Sequence, residues 1–125
     1  MSRGPIYRDD PPDSETVFRT LDDGACRSIV EAIDGPMTAK EISEAADVPL
    51  STTYKKLDRL TDATLVVERT ELDPRGHHRS RYALNFDRVI VRLDEEKKLG
   101  VVIEEPLDTP EKQLLDIWST VRKEV

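Results

Sequence analysis

The chain has 125 residues, of which 36% are charged and 37% hydrophobic, and its net charge is −7. That length suits one domain with a modest core, and no apolar run is long enough to span a bilayer. A single cysteine excludes an intrachain disulfide. With no signal-like apolar segment at the N-terminus, this predicts a cytoplasmic protein with no membrane partner. The charge is unevenly spread. From Leu50 to Tyr82 seven cations stand against five acids, so one locally cationic segment is set in an otherwise acidic chain.

Residues 1–12 are polar, hold three of the eight prolines and lack periodicity, which predicts a flexible arm. Arg3 and Arg8 there are offset by Asp9 and Asp10. A short helix is expected from Ser14, as its cap, to Leu21, with Val17, Phe18 and Leu21 facing inward. Asp22-Asp23-Gly24 interrupts it and caps a second helix over 25–33. Cys26, Ile29, Val30 and Ile33 form the inner stripe of that helix, and Asp34-Gly35-Pro36 ends it.

The stretch from Thr38 to Leu60 organises the rest. Thr38 and Glu41 stand at capping-box spacing, and Ile42, Ala45 and Ala46 make a small apolar stripe. Pro49 breaks the helix, and Asp47 falls where a tight turn asks for a left-handed residue. In the next helix Thr53, Leu57 and Leu60 face inward. Ser51, Thr52, Lys55, Lys56 and Arg59 give its other face hydroxyls and cations. Two short helices joined this way are the arrangement that sets a helix in the major groove of DNA.

Two strand-like runs follow, Leu65 to Leu72 and Arg79 to Phe86, separated by a Pro- and Gly-containing turn. They predict a β-hairpin with a cationic tip, which behind a helix-turn-helix reads as a wing. Arg88 to Leu93 and Leu99 to Glu104 predict a second hairpin. From Thr109 a capped helix is expected, with Leu114, Leu115, Ile117, Trp118 and Val121 forming an apolar stripe wide enough to need a second subunit as cover.

The whole is an α+β pattern. Residues 1–12 form the arm, 13–86 a winged helix-turn-helix, 87–106 a hairpin extension and 107–125 a dimerisation helix.

From the helix beginning Cys26-Arg27-Ser28-Ile29-Val30, through Met37 to Ile42 and Leu50 to Leu60, to the strand Arg81-Tyr82-Ala83-Leu84, the chain resembles the winged helix-turn-helix transcriptional regulators of the ArsR/MarR/PadR type. Its acidity makes it most similar to small haloarchaeal members, among them an oxidative-stress regulator. The resemblance implies a homodimer, often joined through terminal helices, that binds a pseudo-palindromic operator in double-stranded DNA. The sequence has no glycine-rich phosphate loop and no clustered residues for a catalytic triad or metal centre, so no enzyme is expected. The segment from Phe86 to Pro106 departs from the family's minimal pattern.

The expected DNA-binding residues are Ser51, Thr52, Tyr54, Lys55, Lys56 and Arg59 on the second helix, with Lys55 and Arg59 sharing a face. On the wing they are Arg75, His77, Arg79 and Arg81, with His78 beside them. Hydroxyls at a helix start and cations along it suit phosphates and base edges, although any solvated helix shows charge. The adjacent histidines lack a nearby thiol, so no metal or other cofactor is expected. Cys26 reads as a core residue more readily than as a redox sensor, which needs an exposed thiol of lowered pKa. A winged helix that binds protein is the alternative, and the cations of the second helix weigh against it.

Overall fold

A computed structural model describes residues 13–106. Four helices come first: α1 (Ser14–Asp22), α2 (Gly24–Ala32), α3 (Ala39–Ala46) and α4 (Leu50–Asp62). Two antiparallel hairpins follow, β1 (Val66–Leu72) with β2 (His78–Leu84), and β3 (Arg88–Leu93) with β4 (Leu99–Glu104). The fold is α+β, a winged helix-turn-helix with a second hairpin. The expected arm over 1–12 and the expected helix over 107–125, with Leu114, Leu115, Ile117, Trp118 and Val121, lie outside the described residues.

Each local break has a chemical cause. Asp23 caps α2 by accepting from the amides of Ala25 (2.9 Å) and Cys26 (3.3 Å). Thr38 and Glu41 form the full capping box at the start of α3: the Glu41 amide donates to Thr38 Oγ1, and the Thr38 amide donates to Glu41 Oε1. At the other end of α3, Asp47 takes the left-handed conformation, with φ 58° and ψ 47°. Ser43 Oγ and Thr53 Oγ1 both donate to the Val48 carbonyl, which ties the turn to the helix on either side.

The first helix differs from the sequence reading. Asp13, not Ser14, is its N-cap, and the Asp13 carboxylate is taken by Thr16 Oγ1 (2.7 Å) instead of by an amide. In α3, Ala45 is exposed, and Ala39 is buried beside Ile42 in its place. The inner stripe therefore starts one turn earlier than expected.

The core joins all four helices to both hairpins. Val17, Cys26, Ile29, Ile42, Leu57, Leu60 and Leu65 are fully buried. Each large aliphatic among them contributes roughly 1.5–3 kcal/mol of burial. Thr20 and Thr53 are buried with them, and Thr53 is satisfied by the carbonyls of Val48 and Pro49.

The second hairpin shares this core rather than hanging from it. Val101 is buried in it, Val89 and Ile103 pack against it, and β4 lies along α1. A further link joins the wing to the segment before α3. Met37 and Tyr82 exchange both backbone hydrogen bonds, at 3.0 and 2.7 Å, so β2 continues into a short third-strand contact.

Candidate nucleic-acid interface

The buried stripe of α4, Thr53, Leu57 and Leu60, fixes which side of the helix faces out. The exposed arc is Ser51, Tyr54, Lys55 and Asp58, at the i, i+3, i+4, i+7 spacing of one helical face. Thr52 is half-buried at its edge. No side chain caps the start of α4, where Pro49 occupies the N-cap position. Its first amides and the Ser51 hydroxyl are thus set for an anionic group at a positive helix end.

Lys56 and Arg59 are placed differently. Lys56 Nζ lies 2.7 Å and Arg59 Nη1 2.8 Å from Asp23 Oδ2, and Arg59 Nη2 also donates to the Arg19 carbonyl at 3.3 Å. Both cations turn toward the α1–α2 junction. The shared face expected for Lys55 and Arg59 is therefore divided: Lys55 points outward and Arg59 backs onto Asp23.

The Asp23 side chain is only 19% exposed, and each of its oxygens is used, Oδ1 for the α2 cap and Oδ2 for the two cations. The Lys56 hydrogen bond, aided by the two capping amides, holds its carboxyl down at about 2 against the opposing effect of burial.

With those two cations engaged, the outward arc carries Lys55 and Asp58 and is close to neutral. Asp58 was not foreseen as part of this face. The helical spacing from Ser51 and Tyr54 was the signal that could have found it. Behind the arc, Tyr82 is buried, and its hydroxyl lies 3.5 Å from Glu68 Oε2. Burial, followed by the nearby Glu68, Tyr54 and Asp58, pushes the phenol up to about 12, so it stays protonated.

On the wing, strand register decides which side chains meet. Val67 pairs with Ala83, Arg69 with Arg81 and Glu71 with Arg79 on one face, while Glu68, Thr70 and Leu72 pair with Tyr82, Ser80 and His78 on the other. Arg69 thereby joins Arg79 and Arg81, a grouping the strand alternation contained and the sequence reading passed over. Arg81 Nε lies 3.0 Å from Glu71 Oε1 without the alignment of a hydrogen bond, and its guanidinium reaches the Pro36 carbonyl at 3.5 Å. Arg69 and Arg79 are exposed.

At the tip, Asp73 Oδ1 accepts from the amides of Arg75 and His77, both at 2.9 Å, and Gly76 takes φ 86°, which favours glycine. Arg75, His77 and His78 project from this tip into solvent. His77 Nδ1 stands 3.6 Å from Asp73 Oδ2.

Residues 21–69 match the family model of a helix-turn-helix domain. The match runs from the end of α1 through α2, α3 and α4 into β1, so it contains the whole reading unit and stops within the wing. Helix-turn-helix domains of this kind are DNA-binding regulatory modules and are not typically enzymes. No curated protein matches the chain. Among the described residues, no helix is long and apolar enough to cross a membrane.

Proposed function

We propose that this protein is a sequence-specific, DNA-binding transcription regulator that acts as a homodimer on a pseudo-palindromic operator. The observation that carries the reading is the open arc of α4. Ser51, Tyr54 and Lys55 stand out from a helix whose opposite face is locked into the core and whose flank is pinned by Asp23. Such a helix is rigid before it meets DNA, so little ordering entropy is lost on binding. Ser51, Thr52 and the α4 amides take a phosphate, while Tyr54 and Lys55 reach base edges. Arg69, Arg75, Arg79 and Arg81, with His77 at the tip, follow the backbone or the adjacent minor groove. Lys56 and Arg59 act at one remove, by orienting α4.

Residues 13–86 form the reading domain, 87–106 its hairpin extension and 107–125 the dimerisation segment, through Leu114, Leu115, Ile117, Trp118 and Val121. The acidic body fits a salt-rich cytoplasm, as in halophilic archaea, and the protein is placed in a stress response there. Cys26 is not the sensor of such a response, because it is fully buried and burial raises its thiol pKa.

The test is a gel-shift series on promoter DNA. Tyr54→Ala and Lys55→Ala should each weaken specific binding about tenfold or more, equivalent to ~1–3 kcal/mol per lost contact. Lys56→Ala and Arg59→Ala should lower the melting temperature more than the intrinsic affinity of the folded protein. Specific binding unchanged in the Tyr54→Ala/Lys55→Ala double variant would remove the reading.

A further inference from the structure

The outward arc of α4 sets an acid beside a cation, and the acid takes no part in holding the fold. Asp58 follows Tyr54 and Lys55 by one helical turn and is exposed as they are. Among the described residues no cation pairs with its carboxylate, since Lys56 and Arg59, its near neighbours in sequence, are both held by Asp23. The other acids close by are placed differently. Glu68, at the foot of the wing, is met by the Tyr82 hydroxyl at 3.5 Å, and Asp62, a turn further along α4, lines a cleft against α1 with Thr16 and Arg19. An unpaired carboxylate on a helix that approaches DNA is repelled by every nearby phosphate. What offsets that repulsion is a hydrogen-bond donor on the DNA itself.

The major groove presents such donors at two places, the N4 amino group of cytosine and the N6 amino group of adenine. A carboxylate offers acceptors alone. At adenine the acceptor N7 stands beside N6 and repels it, whereas the edge of cytosine carries its amino group with no acceptor of its own. Lys55 has the opposite requirement and suits O6 and N7 of guanine. Side chains three positions apart on a helix stand ~5–6 Å apart at Cβ, and stacked bases ~3.4 Å apart, so the two reach bases one or two steps from each other. We propose that Asp58 is a specificity-determining residue that accepts a hydrogen bond from a cytosine amino group, one or two base pairs from a guanine held by Lys55. The proposal rests on the DNA-reading function and names part of the sequence read. Repulsion then becomes discrimination. A base lacking that donor leaves the carboxylate unpaired beside the phosphates, and is disfavoured about tenfold.

Asparagine carries a donor as well as an acceptor and matches N6 and N7 of adenine, so Asp58→Asn should convert the base preference rather than merely weaken it. The substitution hardly changes shape and lies on an exposed face, so the full-length variant should keep its circular dichroism and cooperative melting. Wild type, Asp58→Asn, Asp58→Ala and Lys55→Ala are each used to select from duplexes with a randomised core, and the bound DNA is sequenced. Wild type should enrich a motif with a position at which cytosine is preferred about tenfold. Asp58→Asn should keep the rest of that motif and prefer adenine there, and Asp58→Ala should accept any base there. Lys55→Ala should lose its guanine one or two positions away. An identical motif from wild type and Asp58→Asn overturns the proposal, even where overall affinity has risen, because the carboxylate then acts only on the charge of the DNA backbone. The DNA-reading function survives that result. A position altered by Asp58→Asn at which wild type prefers a base other than cytosine overturns the proposal as well. Wild-type protein that enriches no motif removes the sequence-specific reading itself, and the proposal with it.

Discussion

Replacing Asp23 separates two jobs held by one carboxylate. Asp23→Ala removes the α2 cap, costing about 1 kcal/mol, and frees Lys56 and Arg59 from Oδ2. Those two side chains are 23% and 41% exposed and regain water when released, so their loss is worth about 1 kcal/mol in total rather than the larger figure for a buried pair. Together that is about 2 kcal/mol. For a domain of this size it corresponds to a fall in melting temperature of roughly 8–16 °C.

Asp23→Asn keeps an oxygen for the Ala25 and Cys26 amides and loses only the charge, so it should fall about half as far. Thermal melts by circular dichroism measure both. The pH dependence gives an independent check. The Asp23 carboxyl is held at about 2, below its ordinary value of 3.8. Its contribution is therefore fully present above the ordinary value and fades as pH falls through about 2. The gap in melting temperature between wild type and Asp23→Asn should be constant near neutrality and close between pH 4 and 2. An Asp23→Ala protein that melts with wild type would refute the reasoning, as would a gap that widens on acidification.

The remaining predictions concern the interface and the core. Asp58→Asn removes the one acid from the outward arc of α4 and should raise affinity for DNA of any sequence by roughly twofold to fivefold at low salt, an effect that shrinks as salt rises; titration by fluorescence anisotropy on unrelated duplexes shows it. Arg75→Ala and Arg79→Ala should each lower the slope of log affinity against log salt by about 1 if they hold phosphates. The parent slope should itself be shallow, because screening relieves the repulsion between DNA and a chain of net charge −7; a steep decline with KCl would contradict that. Cys26 should react with a thiol reagent only at the rate of global opening, so equal rates in native and denatured protein would be inconsistent with its burial.

Local chemistry determined most of the secondary structure. The Thr38–Glu41 capping box, the left-handed Asp47, the Asp23 cap and both strands of the second hairpin were legible because each depends on residues within a few positions of one another. The helix-turn-helix and its wing were legible for the same reason, since hydrophobic periodicity and turn residues are read along the chain.

What the tertiary structure decided is the direction of charge. Lys55, Lys56 and Arg59 are equivalent as letters, yet an aspartate 33 and 36 positions away takes two of them and leaves Lys55 facing out. The union of Met37 with Tyr82 likewise comes from the packing of distant elements. Long side chains settle on whichever partner the packing of distant elements brings within 3 Å, and sequence spacing holds no record of that distance.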